Sequence, residues 1–136
     1  MIAELRCVVL DSPDPLLLAE FYRTLLGGRV NQVDRRWAVG EDWATLHTPS
    51  GTVLAFQRVA DHRPPRWPDP EHPLQFHPDF GVPDLDEAGA RAMAVGATVL
   101  DDAAGTDRPW RIYADPAGHP FCLVKHSPRA SSAAVS

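Results

Sequence analysis

Two stretches of this chain repeat one order of turns, helix caps and apolar runs, and that duplication constrains the fold more than any other feature. Leu5 to Asp11, with Val8, Val9 and Leu10 at its centre, reads as a short strand of β-branched and aliphatic residues. Asp14 follows as a helix cap, with Pro15 at the first helical position, where a missing N–H costs nothing. Leu18, Phe21, Tyr22 and Leu25 then recur at helical spacing, and Gly27 is placed to end the helix. Trp43 to His47 and Thr52 to Arg58 read as strands joined by Thr48-Pro49-Ser50-Gly51.

The second half repeats this order. Leu74 to Val82 reads as a strand, Asp84 as a cap with Glu87 as its capping-box partner, and Ala88, Ala92 and Val95 as the helix stripe before Gly96. Thr98 to Leu100, Trp110 to Ala114 and Pro120 to Lys125 are strands, the last two joined by Asp115-Pro116-Ala117-Gly118-His119. Each half is β-α-β-β-β, and one helix on half a sheet cannot bury both faces alone. The expected fold class is α+β: two tandem modules, residues about 5–59 and 74–126, in a single domain over 1–127, forming an eight-stranded cup-shaped sheet with the helices outside. The proline-rich stretch 60–73, which carries Trp67, is expected to be a linker or a lid, and 128–136 a frayed tail.

Charge and composition remove several functions. A net charge of −5 leaves no basic surface for a polyanion, so neither nucleic acid nor an anionic membrane is an expected partner. No stretch nears the roughly 20 apolar residues that span a bilayer, and the first residues, with Glu4 and a short apolar run, do not read as a signal peptide. Two cysteines, Cys7 and Cys122, are too few for a disulfide scaffold, so a reduced, cytoplasmic protein is expected. Gly-x-Ser-x-Gly, P-loop and Gly-x-Gly-x-x-Gly motifs are all missing, which leaves serine-hydrolase and nucleotide-dependent chemistry without support.

The duplicated order, the helix Ala19-Glu20-Phe21-Tyr22-Arg23-Thr24-Leu25-Leu26-Gly27 and the run Asp115-Pro116-Ala117-Gly118-His119-Pro120-Phe121 resemble the vicinal oxygen chelate superfamily. It includes glyoxalase I, extradiol dioxygenases, methylmalonyl-CoA epimerase, and fosfomycin and bleomycin resistance proteins. Gln75-Phe76-His77 to Asp84-Leu85-Asp86 is similar to its glyoxalase-like branch common in actinomycetes. The resemblance implies a divalent ion held by four strand residues, usually His and Glu. Here those positions fall on Cys7, Ala55, His77 and Cys122, of which only His77 keeps the usual type. The resemblance also implies a homodimer, as does the placement of Trp37 and Trp43 on segments too short to be covered by their own half.

Strand alternation assigns Cys7, Val9, Ala55, Gln57, His77, Asp79, Cys122 and Val124 to the inner face, and Phe76, Phe80 and Val82 to the helix-packed core. That lining suits a small organic ligand, contacted by Cys7, Val9, Gln57, His77, Asp79 and Cys122, with Trp67 closing over it. His77 and Asp79 are also the expected acid–base pair, although a polar patch at a sheet edge would show the same two side chains. His47, His62, His72, His119 and His126 show no ligand spacing and read as surface or turn residues.

Two classes of function follow. One is a protein that binds a small metabolite or antibiotic in the cup without the divalent metal. The alternative is a lyase or isomerase that uses His77 and Asp79, or zinc held by Cys7, His77 and Cys122 with water in the fourth place.

Overall fold

The structure, a computed structural model, describes residues 1–34, 37, 40–73 and 75–126. The element order is β1 (Val8–Ser12), α1 (Pro15–Leu26), β2 (Arg29–Val30), β3 (Trp43–His47), β4 (Val53–Arg58), β5 (Asp79–Val82), α2 (Leu85–Ala94), β6 (Thr98–Asp101), β7 (Trp110–Ala114) and β8 (Pro120–Lys125). This is β-α-β-β-β twice over, in two four-stranded sheets ordered β1-β4-β3-β2 and β5-β8-β7-β6. The chain divides into two compact units, Met1–Arg63 and Pro64–Ser136, so the boundary falls inside the proline-rich segment.

In the first unit Ser12 and Asp14 set the entry to α1. The Asp14 backbone N–H donates to Ser12 Oγ at 3.0 Å, and Asp14 Oδ1 accepts from the Leu17 N–H at 3.1 Å. Gly27, at φ 78°, closes the helix, its N–H donating to the Arg23 carbonyl. The helix lies on β3 and β4 and buries Leu18, Ala19, Phe21 and Tyr22. Tyr22 stacks on Phe56 of β4 at 5.9 Å, while the strand residues around it are small or aliphatic: Ala44 and Leu46.

The second unit reverses that division of bulk. Its helix α2 meets the sheet with Gly89 and Ala92, and the large rings stand on the strands. Tyr113 stacks on Phe121 at 5.8 Å, and a Cβ on Gly89 would run into the Tyr113 hydroxyl group. Asp84 Oδ1 accepts from the Glu87 N–H at 2.9 Å, as the cap pattern predicts.

In each sheet the first strand runs parallel to the last, pairing Val9 with Ala55 and Asp79 with Cys122. Paired residues face the same side. Val9, Asp11, Ala55, Gln57, Trp43, Thr45 and His47 therefore share the side of the first sheet turned away from α1. Asp79, Gly81, Cys122, Val124, Trp110 and Ile112 share the corresponding side of the second. The expected alternation holds across β1, β4, β5 and β8.

The strand starts differ from expectation. β1 begins at Val8, where its partner β4 supplies Leu54, so Leu5 is 79% exposed and Cys7 lies just ahead of the ladder. β5 begins at Asp79, because Pro78 has no N–H to give a ladder. Phe76 is consequently 91% exposed rather than in the core, and His77 precedes the strand. Leu74 and the expected tail 128–136 lie outside the described residues.

The segment 60–73 is tied by its own bonds. The Arg66 N–H donates to the His72 carbonyl at 2.9 Å, Asp69 Oδ1 accepts from the Glu71 N–H, and Asp69 Oδ2 lies 3.1 Å from His72 Nδ1. Trp67 is half-buried in this closed loop. Farther along the second unit, Asp115 fixes the turn into β8 by accepting from the Ala117 and His119 N–H groups and from the His119 ring.

Gly28 and Gly51 share a φ of 93°, but a Cβ on Gly28 would meet the His47 carbonyl whereas one on Gly51 would meet open space. Gly51→Ala should cost about 1 kcal/mol through backbone strain alone, and Gly28→Ala about 3 kcal/mol or more. Chemical denaturation of both variants checks the difference; equal losses would contradict the close approach of Gly28 to β3.

Candidate functional site

The second sheet gathers the strongest chemistry on the side away from α2. His77, Asp79 and Cys122 bring one potential ligand atom each within 4.8 Å of one another. His77 Nε2 lies 3.4 Å from Asp79 Oδ1, and Cys122 is the strand partner of Asp79. His77 and Asp79 are exposed, whereas Cys122 is buried. The turn that Asp115 fixes sets the start of β8 and so the position of Cys122.

Burial pushes the Cys122 thiol up to about 11, and the neighbouring Asp79 carboxylate adds to the rise by its charge and by accepting the S–H. Arg108 opposes the rise by its positive charge. At neutral pH the group is therefore a thiol, a hydrogen-bond donor and not a nucleophilic thiolate. An imidazole, a carboxylate and a thiol in this arrangement can bind a polar ligand group and shuttle a proton between its atoms.

Other groups border the cluster. Arg108 lies over the Trp110 ring at 5.0 Å and donates to Asp101 Oδ2 at 3.1 Å; its Nη2 is 3.0 Å from Asp101 Oδ1 but off line for a hydrogen bond. That guanidinium, followed by the Ala103 N–H, holds the Asp101 carboxyl below the usual range. The ring of His126 rests over Gly81, on the same side as Asp79, with no room for a Cβ there. No spacing in the chain links Arg108, Asp101 or His126 to His77; sheet register and the β6–β7 loop bring them to one side.

The ligand residues expected in the first unit sit on its own sheet. Val9 is half-exposed beside buried Ala55, Gln57 is exposed, and Cys7 is half-buried ahead of β1. The cluster of potential ligands among the described residues, His77, Asp79 and Cys122, lies wholly in the second unit and adds Asp79 to two of the expected residues, while Cys7 belongs to the first unit. The four-ligand set implied by the resemblance does not fit, because Ala55 is a fully buried methyl group. Three donors of N, O and S type do match the ligand number of a catalytic zinc, which would supply Lewis acidity once Cys122 gave up its proton.

Comparison with known proteins agrees with this fold. The family model described as Glyoxalase-like domain matches residues 7–124, and the chain belongs to that family, within the vicinal oxygen chelate superfamily. Among solved structures, a glyoxalase/bleomycin resistance protein/dioxygenase family enzyme from Burkholderia phytofirmans PsJN is similar, with a TM-score of 0.66, 17% identity, and 90% of this chain and 98% of that one covered. The genomically encoded fosfomycin resistance protein FosX from Listeria monocytogenes has a TM-score of 0.64 at 14% identity, covering 93% and 96%. A possible glyoxalase from Bacillus cereus gives 0.61 at 17% identity, covering 89% and 97%. No curated protein matches the sequence.

In a Cys7→Ser background, alkylation of Cys122 should follow a titration midpoint near pH 11, and Asp79→Asn should lower that midpoint without returning it fully to about 9, since burial remains. The folded state keeps the Cys122 proton where the unfolded chain releases it. Its contribution to stability is therefore complete below pH 9 and lost as pH rises through 11. An unchanged midpoint in Asp79→Asn would show that the carboxylate does not face the thiol.

Proposed function

We propose that this glyoxalase-like protein binds a small organic metabolite or antibiotic on the sheet sides turned away from its helices, without the divalent metal of its relatives. Ala55 carries this reading: a buried methyl group stands where the family places a ligand, so a four-ligand ion has nothing to hold it there. The protonated thiol of Cys122 and the His77–Asp79 pair on the second sheet, and Gln57 on the first, are then ligand-binding groups, and Trp67 is the proposed closing residue. The unpaired thiols of Cys7 and Cys122 fit a reducing, cytoplasmic setting, and among the described residues no helix is long and apolar enough to cross a membrane.

A second reading is favoured by the 3.4 Å contact of His77 with Asp79. A lyase or isomerase would use His77 as a base oriented by Asp79, or a soft zinc site that includes His77 and Cys122. The single domain with its modules at about 5–59 and 74–126 would work as a symmetric homodimer, in which a second copy covers large exposed apolar side chains such as Leu16, Leu17 and Phe76.

Protein made without a histidine tag should contain well under one equivalent of divalent ion by elemental analysis, and a chelator should leave its melting temperature unchanged. Stoichiometric zinc lost on Cys122→Ser would overturn the metal-free reading in favour of the second. For a ligand found by a thermal-shift screen of metabolites, His77→Ala should weaken binding by about 1–3 kcal/mol. A monomer by light scattering at micromolar concentration would contradict the dimer.

A further inference from the structure

Among the described residues, four buried polar side-chain atoms of the first unit have no hydrogen-bond partner: Trp37 Nε1, Trp43 Nε1, Thr45 Oγ1 and His47 Nε2. Three of them belong to alternate residues of β3 and so lie in one row on the side turned away from α1, opposite Ala44 and Leu46. Trp37 joins the row by resting edge-on against the His47 ring, with ring centres 5.8 Å apart. Thr45 is fully buried. The reading of His47 as a surface or turn residue is thereby corrected: it is a half-buried strand residue, and Trp37 packs against it.

Folded proteins leave few buried polar groups unpartnered, and each one calls for a physical reason. Four together on one side of one sheet form a pattern. An indole N–H only donates, while a hydroxyl or a neutral imidazole can do either. The row therefore asks for acceptor oxygens.

The row opens at its Trp43 end into a depression of about 610 Å³ lined by Asp42, Trp43, Gln57, Arg58 and Ala60. That volume falls in the range of roughly 300–1,000 Å³ typical of small-ligand sites. Trp43 and Gln57 are strand partners on the row's side, while Asp42 and Arg58 alternate to the other, so the depression sits at the end of the β3–β4 pair and meets the row at Trp43. Arg58 makes no ion pair with a described residue, which leaves its planar fork free for a carboxylate. Asp42 adds one negative charge at the same rim, which disfavours a second acid group on the ligand.

We infer that the Trp43–Thr45–His47 row and the adjoining depression form a binding subsite for a planar organic acid. The inference rests on the small-molecule reading above and gives it a ligand class. The ring lies along the Trp43 indole, the carboxylate meets Arg58, and an oxygen of the ligand takes the unpartnered donors of Trp43 and Thr45. The orphan atoms are covered in this structure, and Trp37 is part of the cover, held by His47 on one side and by the Arg6 guanidinium 5.0 Å from its ring centre. Full occupancy of the row moves Trp37 off His47.

The test uses protein with ¹⁵N-labelled tryptophan, its four indole signals assigned by Trp→Phe substitutions, titrated with 2-naphthoate, naphthalene and cyclohexanecarboxylate. 2-Naphthoate should shift the Trp43 and Trp37 signals and bind more tightly than the probe without oxygens or the probe without a flat ring. Arg58→Gln, an exposed substitution that leaves the core intact, should weaken it about tenfold, as the loss of a charged hydrogen bond does. Thr45→Val should also weaken it about tenfold while raising the melting temperature, since an orphaned buried hydroxyl is removed. A lower melting temperature with unchanged affinity would assign that hydroxyl to a purely structural role and overturn the subsite. A Trp43 signal that 2-naphthoate leaves in place, or equal binding of all three probes, would overturn it as well. Shifts confined to Trp67 and Trp110 would overturn this subsite while leaving the small-molecule reading standing; that reading fails instead if a broad metabolite screen finds no ligand.

Discussion

One helix covers one side of a four-stranded sheet and no helix of the same unit packs on the other, and both units of this chain are built that way. The helix side is closed by rings: Tyr22 on Phe56 in the first unit, Tyr113 on Phe121 in the second. Losing either ring would empty a fully buried position, at a cost of about 3–5 kcal/mol. With the stability concentrated there, the other side is free to carry polar groups that a core would reject. It holds His77, Asp79 and Cys122 in one unit and Trp43, Thr45 and His47 in the other. The chemistry follows from the packing, because parallel pairing of first and last strands puts Asp79 beside Cys122 and Val9 beside Ala55.

The two units have the same order of elements and different electrostatics. In the second, a carboxylate and burial together keep a thiol protonated, and Arg108 supplies a positive charge nearby that is already engaged by Asp101. In the first, the corresponding pair is Val9 and Ala55, with no group that titrates. Duplicated folds often lose one copy of a ligand set, and a fold constrains the reaction only weakly. FosX of Listeria monocytogenes and the Burkholderia phytofirmans enzyme share this fold at 14% and 17% identity, a likeness of architecture alone.

Local signals made the helices legible. Asp14, Pro15 and Gly27 bound α1 through caps made within a few residues, and Asp84 does the same for α2. The turns at Thr48 and Asp115 were equally plain, and they place β4 and β8. Strand starts were not, because a strand begins where a distant partner begins; Leu5 and Phe76 look like strand residues and find no ladder. The site was legible in part. His77, Asp79 and Cys122 emerged from alternation and a family resemblance, but Asp79 as the partner of Cys122, and the charge of Arg108 acting on that thiol, needed the register. His47 is not legible in the sequence, since a lone histidine next to a turn has no pattern; only its neighbours on β3 and Trp37 set it apart.

On the proposed function, the sides of the sheets away from the helices bind a small molecule through this chain's own groups. Mapping of backbone amide shifts on adding a screened ligand, in the presence of a chelator, tests it most directly. The account predicts shifts along β4, β5 and β8, centred on Gln57, Asp79 and Cys122, with the helix-facing positions of α1 and α2 unmoved. Shifts confined to the helices, or shifts that vanish until a divalent ion is restored, would contradict it.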